Sequence, residues 1–268
     1  MVLDSQSVLL LPKASRAYTV GETGMGKSTL DEVLCLTYQD AYGSRKFPVR
    51  TFVADTKPRY RAEKELNGFS TLTTRRYAKW GLGSDAFRNS YALNIDGTNA
   101  GGQLKRVWAL GGTTAIASVE RRSDMWFVVE ALEHFFDDHG AKIPRLVFID
   151  EAADFYRKGM STDILERIAR VGRERNCALI AGSQRPRKVP TEFMTEMKRL
   201  YMFYLSFVED IKHIQEFGIP KPLPEIGKFQ FYLFDKELRF QFPSNALHEL
   251  VLPGNVTGGW QKHLESKV

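Results

Sequence analysis

Short apolar runs alternate with polar stretches of helical spacing along most of this chain. Ala17–Val20, Phe47–Asp55, Arg145–Asp150, Ala178–Ser183 and Leu200–Val208 each read as buried strands, since they are short, rich in branched and aromatic residues, and bounded by turn residues. Between them lie helical patterns. Thr29–Leu34 opens one helix. Met125–Phe136 spaces Trp126, Val129, Leu132 and Phe136 along a second, and Asp163–Glu174 puts Leu165, Ile168, Ala169 and Gly172 on the inner face of a third. Phe229–Phe234 and Leu238–Phe242 flank Asp235-Lys236-Glu237 and predict a C-terminal β-hairpin. Such an alternation predicts an α/β fold, a mostly parallel central sheet with helices on both faces. Residues 61–110 are the exception: polar, with only Val107–Leu110 apolar ahead of Gly111-Gly112, and they suggest an insertion around Arg75–Trp80. No internal repeat or linker divides the chain, so residues 1–268 are expected to form one domain with its core at about 17–242.

The first strand runs into Gly21-Glu22-Thr23-Gly24-Met25-Gly26-Lys27-Ser28 and then, through Thr29, into a helix. This is a G-x-x-x-x-G-K-S loop in its strand–loop–helix setting, and it implies a nucleoside triphosphate site. Its glycines let backbone N–H groups turn onto phosphate oxygens, Lys27 would reach the β- and γ-phosphates, and the Ser28 hydroxyl would hold Mg²⁺.

Leu146-Val147-Phe148-Ile149-Asp150-Glu151 is an apolar strand ending in two carboxylates, which resembles the Walker B motif of P-loop ATPases that carry an additional glutamate. Asp150 would position Mg²⁺, through water or Ser28, and Glu151 would polarise the attacking water. Adjacent Asp and Glu, with no N-K-x-D string, argue against a GTPase or a nucleotide kinase. The next predicted strand ends in Ser183-Gln184-Arg185-Pro186, where Gln184 would hydrogen-bond phosphate and water. Arg167, Arg170 and Arg173 recur at every third position ahead of it, either as a solvated face paired with glutamates or as an arginine finger inserted into a neighbouring subunit. A finger acting in trans requires an oligomer, and a ring is its natural closed form.

Bulk composition changes this picture little. No apolar run approaches a membrane span, and the two cysteines, Cys35 and Cys177, lack metal-ligand spacing and read as buried reduced thiols. A net charge of +6 is compatible with a polyanionic partner.

Taken together, G-E-T-G-M-G-K-S, F-V-A-D-T-K, L-V-F-I-D-E-A-A-D-F and A-R-V-G-R-E-R-N-C-A-L-I-A-G-S-Q-R-P resemble the HerA/FtsK superfamily of DNA-pumping ATPases, over roughly residues 17–242. The resemblance implies a RecA-like P-loop ATPase, Gln184 as sensor, and Arg173 as trans finger with Arg170 as the second candidate. It gives Asp55 and Lys57 a supporting role. The short flanks, without barrel, membrane or DNA-reading domain, make a bare motor most like the genome-packaging ATPases of DNA viruses. That reading implies ATP and Mg²⁺ as cofactors and double-stranded DNA as partner. It also implies a homo-oligomeric ring without membrane insertion, in the host cytoplasm or docked on a procapsid portal vertex. A plasmid or mobile-element transfer ATPase and a phage-assembly NTPase acting on protein are the alternatives. Candidate DNA contacts are Arg75, Arg76 and Lys79, beside Tyr77 and Trp80, together with Arg187 and Lys188; these last two form with Arg185 a second basic cluster, whose place after the sensor strand suits a subunit contact as well.

Overall fold

A computed structural model describes residues 10–44, 46–56, 62–66, 69–72, 90–94, 99–119, 122–138, 143–157, 163–216, 226 and 230–235. In chain order the elements are β1 (Arg16–Val20), α1 (Lys27–Tyr42), β2 (Arg50–Asp55), β3 (Ala62–Leu66), β4 (Phe69–Leu72) and β5 (Ser90–Ala92). They continue with α2 (Ala100–Ala109), β6 (Thr114–Ser118), α3 (Met125–Asp137), β7 (Arg145–Ile149) and α4 (Ile164–Val171). The last are β8 (Cys177–Ser183), α5 (Thr191–Thr195), β9 (Arg199–Met202), α6 (Val208–Gln215) and β10 (Tyr232–Asp235).

The strands form one sheet in the order β10-β9-β1-β8-β7-β2-β6-β5-β4-β3. The run from β9 to β5 is parallel throughout, while β10 at one edge and β4 and β3 at the other are antiparallel. Successive side chains point to opposite faces of a strand, and two cores result. Val147 and Ile149 of β7 with Leu179 and Ala181 of β8 face the layer that includes Phe127, Leu132, Phe136 and Ile168. Leu146 and Phe148 with Ala178 and Ile180 face Leu30, Val33, Leu34 and Tyr38 of α1. Both cysteines are buried and free, and burial pushes the Cys177 thiol up to about 12, so neither is a ready nucleophile.

Several boundaries differ from the sequence reading, each for a physical reason. The stretch Leu200–Val208 is a strand only to Met202, and α6 starts at Val208. Val107 lies within α2, whose Ala100, Leu104 and Val107 are buried; Asn99, which accepts a hydrogen bond from the Gly102 N–H at 2.8 Å, caps it. Residues 90–92 and 100–109 therefore belong to the sheet and its cover, and β3 and β4 extend the sheet edge, whereas 73–89 and 95–98 lie outside the described residues. On α3 the buried stripe is Val128, Ala131, Leu132 and Phe135, with Trp126 56 % exposed. A helix this apolar offers two stripes, and packing on α2 selects the phase. Of the predicted C-terminal hairpin, the first arm is the strand β10, which pairs antiparallel with β9, Leu233 opposite Tyr201; the second arm, 238–242, lies outside the described residues.

An ion pair locks that edge. Arg199 Nε donates to Asp235 Oδ2 at 2.6 Å with both side chains buried, and the same guanidinium donates to the Leu10 carbonyl at 2.8 Å. Asp235→Ala would strand a buried cation, so a loss of about 3–5 kcal/mol is expected in urea unfolding.

Candidate active site

Parallel order brings the carboxyl ends of β1, β8 and β7 to one edge, and each releases a loop carrying chemistry. The β8 strand lies between the other two, so its end touches both. The loop Gly21–Ser28 bridges β1 and α1 and is tied to β8 by the Gly21 N–H, which donates to the Ser183 carbonyl at 3.2 Å. Gly26 sits at φ +105°, a backbone that side-chain-bearing residues adopt at a cost, and α1 starts directly after it. Thr23 and Gly24 are exposed, Met25, Gly26 and Ser28 are half-buried, and the Thr29 side chain lies outside the description.

Lys27 turns inward. Its Nζ donates to the Asp150 carbonyl at 3.3 Å and lies 3.9 Å from Oδ2 of Asp31, one helical turn on. Asp31 is fully buried and accepts from the Thr19 hydroxyl at 2.6 Å. Gly182 makes room for this ammonium: a Cβ there would stand 2.8 Å from Nζ. Asp31 and Thr19 were missed by the sequence reading, although the spacing of four on a helix was the available signal. Glu22 was read only as part of the loop, yet its carboxylate accepts from the Ser206 N–H at 2.8 Å and from the Ser206 hydroxyl, while its own N–H donates to the Tyr204 carbonyl. The loop after β9 is thereby clamped onto the P-loop.

Glu151 is the second residue past the end of β7 and is 5 % exposed. Its Oε1 accepts from the Ser183 hydroxyl at 2.7 Å and the Gln184 N–H at 3.0 Å, and Oε2 lies 3.1 Å from the same N–H. Gln184 in turn accepts from the Thr23 hydroxyl at 2.9 Å. The predicted Lys27, Asp150, Glu151 and Gln184 are therefore joined to the P-loop in one hydrogen-bonded group. Asp55 ends β2 nearby, buried and holding the Ser118 hydroxyl at 2.9 Å, while Lys57 lies outside the described residues.

The arginines separate into two sets. Arg167 and Arg175 donate to Asp137 at 2.9 and 2.6 Å. Burial works against that carboxylate, but the two guanidiniums outweigh it and hold its pKa below the usual value. Arg145, buried at the start of β7, donates to the carbonyls of Phe135, Phe136, Asp138 and Arg175, fixing the turn between α4 and β8. Helix α4 ends at Val171, so Arg173 stands in that turn, and both Arg173 and Arg170 are exposed. The turn precedes β8, whereas Gln184 follows it; a strand of this length spans about 20 Å. Arg170 and Arg173 thus lie at the opposite end of the sheet from their own P-loop.

Arg185 departs from the expected basic cluster. Its guanidinium pairs with the fully buried Asp210 at 3.3 Å and stacks on the Phe207 ring at 3.5 Å, so it anchors α6. Arg187 and Lys188 are exposed beside it, and Arg75, Arg76, Tyr77, Lys79 and Trp80 lie outside the described residues.

No protein-family model and no curated protein sequence matches the chain. Solved structures do. The genome packaging NTPase B204 from Sulfolobus turreted icosahedral virus 2, in complex with ATP-gammaS, superposes with a TM-score of 0.56 at 14 % identity, over 86 % of this chain and 96 % of that one. B204 from Sulfolobus turreted icosahedral virus, described as a DNA-packaging ATPase, gives 0.54 at 16 % identity over the same shares. The chain shares the α/β fold of these two packaging NTPases. At this identity the likeness is one of fold.

Proposed function

We propose that this protein is an ATP-hydrolysing, HerA/FtsK-type DNA translocase of the genome-packaging kind, working as a homo-oligomeric ring. The observation that carries the hydrolytic part is the convergence of Lys27, Asp150, Glu151 and Gln184 on one loop, with the Glu151 carboxylate held by Ser183 and the Gln184 N–H. Backbone N–H groups of Gly21–Ser28 would cradle the phosphates of ATP, and Lys27 would swing to the β- and γ-oxygens. Ser28 and Asp150 are oxygen donors suited to a hard cation, and Mg²⁺ bound there would neutralise charge on the phosphates. Glu151 would take the proton of the attacking water, and Gln184, which contacts Thr23, would register the γ-phosphate. Arg173, or Arg170 as the second candidate, would complete the site of a neighbouring subunit.

The DNA part is supported by the fold shared with two packaging NTPases and by the exposed Arg187 and Lys188. Double-stranded DNA would thread the ring, and a capsid portal vertex would hold the motor on a procapsid in the host cytoplasm. No helix among the described residues is long and apolar enough to cross a membrane. The test is ATPase rate against added linear duplex DNA. Stimulation of several-fold is expected at about 50 mM salt and its loss by about 200 mM, because phosphate contacts release counterions. A rate indifferent to DNA at low salt would overturn the translocase and leave the ATPase standing.

A further inference from the structure

Ser183 closes β8 without any exposed surface, and its two oxygens serve three different segments of chain. Its carbonyl accepts the Gly21 N–H of the P-loop at 3.2 Å. Its hydroxyl donates to Glu151 Oε1 at 2.7 Å and accepts the Arg185 N–H at 3.1 Å. The hydroxyl proton goes to the carboxylate, the charged acceptor beside it, while the Arg185 N–H is itself a donor. The second hold on Glu151, from the Gln184 N–H at 3.0 Å, is main chain and comes with the strand. The Ser183 hydroxyl is a hold on that carboxylate that a side-chain change removes, whereas the Gln184 N–H stays with the main chain.

We infer that Ser183 is the positioning residue for Glu151: it sets the angle at which the carboxylate is presented, and acts on hydrolysis only through it. This rests on Glu151 being the group that activates water. A hydroxyl donating to a charged acceptor contributes more than a neutral pair and is directional, so its loss lets the carboxylate rotate about its side-chain bonds. ATP itself is held elsewhere, by the loop and Lys27. The consequence is a selective one: kcat depends on the Ser183 hydroxyl and KM does not.

Steady-state ATPase kinetics of three variants test this, with folding checked by circular dichroism. Ser183→Ala is expected to lower kcat about 10- to 100-fold with KM within about twofold, the size of one charge-assisted hydrogen bond. Ser183→Thr keeps the hydroxyl and should restore most of the rate. Ser183→Cys, close in size but a weaker donor, should fall between Ala and Ser, and it serves where the alanine variant does not fold. On a Glu151→Gln background Ser183→Ala should cost less than about twofold, since residues acting as a unit are not additive. A wild-type kcat in the Ala or Cys variant overturns the inference, as does a further 10-fold or larger loss on the Glu151→Gln background. If Glu151→Gln alone keeps the wild-type rate, the reading of Glu151 falls first, and any kcat loss in Ser183→Ala is then structural.

Discussion

Glu151→Gln is expected to bind ATP within about twofold of wild type and to lose turnover by about 10²–10⁴-fold, the range for removing a general base. The variant is nearly isosteric, and its amide oxygen can still accept from the Ser183 hydroxyl or the Gln184 N–H, so the end of β7 should keep its place. What it loses is the negative charge. A neutral amide does not take a proton from water at neutral pH, whereas the carboxylate does. Calorimetric titration with a non-hydrolysable analogue and single-turnover hydrolysis separate the two effects. Wild-type turnover in this variant would remove Glu151 from the role of base. Weakened binding would instead make the carboxylate part of the phosphate or Mg²⁺ site, with Asp150.

What the sequence made legible follows from the range of the interactions involved. The P-loop, Asp150, Glu151 and Gln184 each end an apolar strand, and strand ends are readable because burial on both faces demands continuous apolar runs. Their meeting was readable as well, since parallel strands leave all their carboxyl ends on one edge. The β6 strand, Thr-Ala-Ile-Ala-Ser, was not readable, because only Ile116 among its residues is a large apolar one and its burial comes wholly from its neighbours. The same limit hid Asp31, Thr19 and Ser206, whose roles arise from partners distant in sequence or from a helical turn with no motif attached. The anchoring role of Arg185 was hidden for a related reason. A charge beside Arg187 and Lys188 reads as part of one basic patch until a buried acid, Asp210, is brought under it by α6. The arginine series before β8 shows the opposite case. Four guanidiniums look alike in sequence, and Asp137 on a distant helix sorts them by engaging Arg167 and Arg175.

That sorting fixes the design of the second large effect. Arg173→Ala is expected to fold normally, because an exposed side chain outside the Asp137 and Arg145 contacts contributes little to stability. Its ATPase rate should nevertheless fall about 10³-fold or more, the scale of a lost arginine finger. The position of the turn at the amino end of β8, with the P-loop at the carboxyl end, excludes service to its own site without a large rearrangement. The defect should therefore be complemented. Lys27→Ala subunits lack a working P-loop but present Arg173, and Arg173→Ala subunits offer the converse. In randomly mixed rings at equal ratio about a quarter of interfaces join an intact site to an intact finger, so about a quarter of wild-type activity is expected from two inactive parents if sites fire independently. Titrating the ratio and measuring phosphate release reads this out directly. Activity no greater than the sum of the parents would overturn action in trans by Arg173. If Arg173→Ala is fully active while Arg170→Ala shows both the loss and the complementation, the finger lies one turn earlier on the same exposed surface.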